Sequence, residues 1–104
     1  MKVIQATDDS YLSLVKQPGY TLVFIDSEQS YGGRERNLRD ARRLAREQAE
    51  WLCVIRVVRE ECPQSVGGYG PGTFLLFLDG DKISGISLTN RLTQVVPWLA
   101  KCCP

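Results

Sequence analysis

The sequence predicts a small α/β domain whose elements run βαβαβ and then ββα, and three observations lead to it. Residues 20–26 and 52–58 are near-continuous apolar, β-branched runs, the composition of strands covered on both faces. Between them, residues 33 to 50 repeat apolar side chains at helical spacing, as a crossover between parallel strands requires. Near the end, residues 73–78 and 82–87 flank Asp79, Gly80 and Asp81, a hairpin signal.

The elements follow in order. Residues 2–6 are short and β-compatible, and Thr7, Asp8, Asp9 and Ser10 supply N-cap residues and acids for a helix start. That helix carries Tyr11, Leu12, Leu14 and Val15. It should stop near Pro18 and Gly19, because the residue before proline is pushed out of the helical region. The first interior strand follows at residues 20–26. In the long helix Leu38, Ala41, Ala45 and Leu52 recur on one side, while Arg36, Arg39, Arg43 and Arg46 recur on the other. The second interior strand is residues 52–58. Residues 59–72 form a polar, glycine-rich connection with one helical turn near Cys62 and Pro63. After the hairpin, Thr89 or Asn90 can cap a last helix from Arg91 to about Cys102, with Leu92, Val95, Val96 and Leu99 as its apolar face.

Composition bounds the function. With 104 residues the chain is one domain, removing roughly 60 to 65% of its unfolded surface from water, enough for a core without staples. Thirteen basic side chains face twelve acidic ones, so no whole-molecule field holds a nucleic acid or an anionic membrane, and neither is expected as a partner. Histidine is absent, which removes the usual neutral-pH base, the Ser-His and Cys-His nucleophile pairs and the commonest metal ligand. Four unevenly spaced cysteines suggest neither a zinc site nor a disulfide framework. With no secretory signal or membrane span in view, a reducing cytoplasm is expected, and no cofactor.

Several local stretches resemble the thioredoxin family. Residues 6–11 (Ala-Thr-Asp-Asp-Ser-Tyr) resemble its acidic cap followed by an aromatic, and residues 21–25 (Thr-Leu-Val-Phe-Ile) its central strand. Glu61-Cys62-Pro63 and Gly68-Tyr69-Gly70 resemble marks of its third-helix region, and residues 72–80 are similar to its Pro-Thr-aliphatic-Phe segment before the hairpin. The resemblance spans nearly the whole chain. It implies a thioredoxin-like fold with a mixed sheet in the order 1-3-2-4-5 flanked by helices.

At the family's reactive tip this sequence departs. The two cysteines of its Cys-Gly-Pro-Cys motif fall on Ser30 and Gly33, in Ser30-Tyr31-Gly32-Gly33. That chemistry needs a thiolate at a helix N-terminus and a second thiol to resolve the mixed disulfide. The cis-proline falls on Gly72, with Pro71 one place early, the buried acid on Phe24 and the preceding tryptophan on Gln29, while the intervening loop is about three residues shorter. The resemblance therefore implies a retained scaffold without disulfide reductase activity.

The family's peptide-receiving surface maps onto the loops at residues 27–33 and 67–73. Its candidate binding residues here are Glu28, Gln29, Ser30, Tyr31, Gly32, Gly33, Tyr69, Pro71, Gly72 and Thr73, with a protein or peptide as partner. Ser30 at a helix start would also suit a small anionic or glutathione-like ligand, against the plainer reading of a turn. The alternative function is thiol redox or sensing at displaced cysteines: Cys62, expected at the surface beside Glu60 and Glu61, or Cys102 and Cys103 at the end of the chain. Cys53 reads as a small buried hydrophobe. The long helix's arginines are either a docking patch for an acidic protein or nucleic acid or a solvated face, and Asp40 and Glu47, four residues after Arg36 and Arg43, favour the solvated face.

Overall fold

The computed structural model describes residues 3–27, 33–48, 51–66, 68–70, 72–86, 97–98 and 101. Its elements are β1 (Ile4–Gln5), α1 (Tyr11–Val15), β2 (Tyr20–Asp26), α2 (Gly33–Glu47), β3 (Leu52–Val58), α3 (Pro63–Val66), β4 (Phe74–Leu78) and β5 (Asp81–Ile86). The five strands form one mixed sheet in the order β1-β3-β2-β4-β5. β1, β3 and β2 run parallel, whereas β2, β4 and β5 pair antiparallel.

The near-continuous apolar runs are explained by helices on both faces. Leu22, Phe24, Leu52, Val54, Phe74 and Leu76 meet Ala41, Leu44 and Ala45 of α2 on one face. Val23, Ile25, Ile55, Val57 and Leu75 meet Tyr11 and Val15 of α1 and Val66 of α3 on the other. The two-residue period of a strand sends neighbours to opposite sides, so a strand lined on both must be apolar throughout. Each fully buried Leu, Ile, Val or Phe contributes about 1.5 to 3 kcal/mol.

The hairpin forms at its two turn residues. Asp79 (φ 51°) and Gly80 (φ 93°) both take positive φ, which gives the type I′ twist that matches paired strands. Asp79 also accepts from the Gly19 amide at 2.7 Å and donates its own amide to the Gly19 carbonyl at 3.0 Å, tying the hairpin to the turn after α1.

Element bounds differ modestly from the sequence reading. β1 covers two residues, although Ala6 extends its bonding with an amide to the Arg56 carbonyl at 3.0 Å. α2 stops at Glu47, and Leu52, which the periodicity also placed on the helix stripe, opens β3 instead. Residues 97–98 and 101 are helical, and Trp98 packs against the α2-side core with its indole N–H donated to Ser84 at 3.1 Å. The rest of the expected last helix lies outside the described residues.

Candidate functional site

The connections after β2 and β3 leave the sheet toward opposite faces, β2 leading to α2 and β3 to α3. In open α/β sheets the crevice outside the carboxyl ends of such strands is where ligands are held. Asp26 ends β2 on the same face as Leu22 and Phe24, and Arg56 sits beside Phe24 in the β2/β3 register. The Arg56 guanidinium donates from Nε (3.1 Å) and Nη2 (2.8 Å) to Oδ2 of Asp26, and from Nη1 to Oε1 of Gln5 on β1 (2.7 Å). Asp26 is 1% and Arg56 4% exposed. One buried guanidinium thus joins three parallel strands near their carboxyl ends, by an ion pair to β2 and a hydrogen bond to β1.

The next residues tie the end of β2 to the turn after β3. The Ser27 amide donates to Oδ1 of Asp26 at 2.8 Å, and its hydroxyl reaches both carboxylate oxygens of Glu60 at 3.0 and 2.9 Å. The Arg59 amide donates to the Asp26 carbonyl at 3.0 Å. The turn after β3 is therefore laced to the end of β2.

On the other flank of β2 the chain enters β4 through a bulge. The Gly72 amide donates to the Ile25 carbonyl at 2.9 Å, while the Ile25 amide donates to the Thr73 carbonyl at 3.0 Å, so two residues oppose one. Gly72 has φ 85°, the left-handed value that the first residue of such a bulge adopts and glycine accommodates without strain. Thr73 turns its hydroxyl back to the Gly70 carbonyl at 2.8 Å. Of the candidate surface, Gly72 and Thr73 lie beside the end of β2, and Gly33 opens α2. Tyr69 is half-buried against the α1 and α3 face. Its hydroxyl accepts from Lys82 Nζ at 3.3 Å, and the same ammonium lies 5.6 Å from its ring centroid. Beneath it, burial and, less strongly, the charge of Tyr69 push the Tyr11 phenol up to about 12. Glu28, Gln29, Ser30, Tyr31, Gly32 and Pro71 lie outside the described residues.

The thiols need one correction. Cys62 was expected at the surface, and it is 0% exposed, with its Sγ–H directed to the Ala6 carbonyl at 3.4 Å. The amides of Glu61 and Cys62 both return to the Val58 carbonyl, and this tight turn carries Cys62 inward beneath β1 while Glu60 and Glu61 stay outside. Burial first, then the charges of Asp8 and Glu61, push its thiol pKa up, so the thiolate that redox chemistry needs is disfavoured. Cys53 is half-buried; burial raises its pKa against a smaller lowering by the Gln17 amide at 3.4 Å. Cys102 and Cys103 lie outside the described residues.

Sequence reasoning missed the Asp26 and Arg56 pair. The signal was an arginine inside Leu-Cys-Val-Ile-Arg-Val-Val, since a cation in an otherwise apolar interior strand demands a buried counter-charge. Among the described residues no three His, Cys, Asp or Glu side chains gather as a metal ion would need, and no helix is long and apolar enough to cross a membrane. No protein-family model matches the chain, and no curated protein matches it.

Proposed function

We propose that this chain is a thioredoxin-like domain that binds a protein or peptide at the carboxyl end of β2 and carries no dithiol chemistry there. The observation that carries the reading is the replacement of the reactive positions. Ser30 and Gly33 stand where the family keeps its two cysteines, and a disulfide can form at neither. The strand order and directions, with α1 and α3 on one face and α2 on the other, agree with the resemblance.

Two described positions support the same loss. Phe24, at the place of the family's buried acid, is stacked on Phe74 with ring centroids 5.3 Å apart, which leaves no proton acceptor on that strand position. Gly72, at the place of its cis-proline, has φ 85°, whereas a proline ring holds φ near −65°. The buried Asp26 and Arg56 pair then serves as a rigid floor, fixing the end of β2 from which the candidate surface departs. Burial of Cys62 counts against the alternative in which that thiol senses oxidants.

Reduction of insulin disulfides with dithiothreitol as electron donor tests the reading. The pure protein should show no turnover above a variant lacking all four cysteines, and measurable turnover above that variant defeats it. For the binding half, an extended peptide selected by display should shift backbone amides at residues 26–27, 68–70, 72 and 73; shifts confined to other parts of the sheet would contradict it.

A further inference from the structure

The positive charge of this protein is concentrated on one helix. Between residues 33 and 47, α2 carries six arginines (34, 36, 39, 42, 43 and 46) against three acids (35, 40 and 47), a surplus of three on a chain whose net charge is +1. All six cations are arginine, although lysine serves a merely solvated face as well; arginine is the side chain that grips carboxylates with two parallel hydrogen bonds. Helix stability explains Arg46, in the last turn, but not Arg34 and Arg36, which fall in the first turn, where the helix dipole disfavours cations.

The described side chains make a stripe. Arg39, Arg42, Arg43 and Arg46 are exposed, opposite Ala41, Leu44 and Ala45, which are buried against the sheet. Only Arg43 among them has an ion pair in the described residues, to Glu47 at 2.9 Å, while Arg39, Arg42 and Arg46 have none. At 100° per residue these three fall within about 60° of one another, spread over about 10 Å of helix.

We infer that the outward face of α2 docks an acidic helical segment of another protein, a surface separate from the carboxyl end of β2. Two helices share the same rise per residue, so carboxylates at i, i+3 and i+7 of a partner helix meet Arg39, Arg42 and Arg46 rung for rung. A nucleic acid fits this face less well. No aromatic side chain interleaves with the arginines to stack a base, and the three interspersed acids repel a continuous phosphate backbone.

A fluorescein-labelled, alanine-based helical peptide with glutamates at i, i+3 and i+7, mixed with the full chain at low salt, tests this by fluorescence anisotropy. Arg39→Gln, Arg42→Gln and Arg46→Gln combined should weaken binding about tenfold, since each exposed pair is worth roughly two- to fivefold, while Lys16→Gln with Lys82→Gln leaves it unchanged. Circular dichroism confirms that α2 persists in the triple variant, as exposed glutamines sustain helix well. The inference is overturned if the peptide does not bind, if the triple variant binds it as the parent does, if a peptide of the same composition with scrambled glutamates binds equally, or if an oligodeoxythymidine of equal charge binds more tightly.

Discussion

Arg56 shows how much a single side chain organises here. It leaves β3 on the α2 side, and its three nitrogens hold Asp26 of β2 and Gln5 of β1. Two charges out of water gain little net stability together, but removing one takes away much of the compensation of the other. Arg56→Met, which keeps the aliphatic stem, is expected to cost about 3 kcal/mol in urea unfolding, because the buried Asp26 carboxylate loses the two hydrogen bonds that the guanidinium gives it. Asp26→Asn combined with Arg56→Met should cost well under the sum of the two single changes; additive losses would show that the two groups act independently. At this scale the sequence was half legible. An arginine in an apolar strand calls for a partner, but which acid supplies it depends on the β2/β3 register, a non-local fact. Cys62 was misplaced for a related reason: its neighbours Glu60 and Glu61 are polar, yet the turn after Val58 directs consecutive side chains to different sides.

Among the elements, the hairpin's position was legible because its turn depends on two adjacent residues and their φ angles, a local matter, whereas Asp81, read as part of the turn, opens β5, and the bulge at Ile83 gave no local signal. The bulge at Gly72 was not legible, since an extra residue shows only once Ile25 is known to oppose both Gly72 and Thr73. α3 is a single turn, too short to persist by its own hydrogen bonds, and it is capped from the far end of the sequence. Asp8 accepts from the Ser65 hydroxyl at 2.7 Å, the Ser65 amide at 2.9 Å and, more weakly, the Gln64 amide at 3.5 Å, serving as the N-cap that Cys62 cannot provide. The Ser65 hydroxyl foremost, and then the two amides, hold the Asp8 carboxyl below its ordinary 3.8, against a counteracting desolvation. A depressed folded-state pKa binds fewer protons than the unfolded chain, so the stabilisation is present above 3.8 and is lost as pH falls through the folded value. Asp8→Asn should accordingly lower the Tm at pH 7 and flatten its decline below pH 4, when melting is followed by circular dichroism. Parallel Tm curves for parent and variant across that range would remove the charge from the account.

Over the whole molecule, stability should be graded from the middle of the sheet outward. β2 is paired on both edges and covered on both faces, and β3 likewise lies between β1 and β2 with its interior residues buried. β5 is the outermost strand among the described residues, is exposed along much of its length, and carries a register shift at Leu76 and Phe77 that leaves Ile83 as the extra residue. Charged Asp81 and Lys82 together with that bulge blunt the edge against pairing with another chain. β1 at the opposite edge is held by two paired residues and by the Gln5 bond to Arg56. Amide hydrogen exchange followed by NMR should resolve this gradient: the amides of Leu22, Val23, Phe24, Ile55 and Val57 exchange only through global unfolding, whereas those of β5 and α3 exchange through local opening at lower free energy. The buried ion pair adds a second, sharper expectation. In Arg56→Met, protection at Ile4 and Ala6, whose amides face β3, should fall further than protection at Leu75 or Phe77, whose amides face β2, because the side-chain bond from β3 to β1 is lost while the β2/β4 ladder is untouched. Equal losses at β1 and β4 would mean that the ion pair supports the sheet only as a whole, and that the carboxyl ends of β1, β2 and β3 are not the separately braced floor on which the proposed binding surface depends.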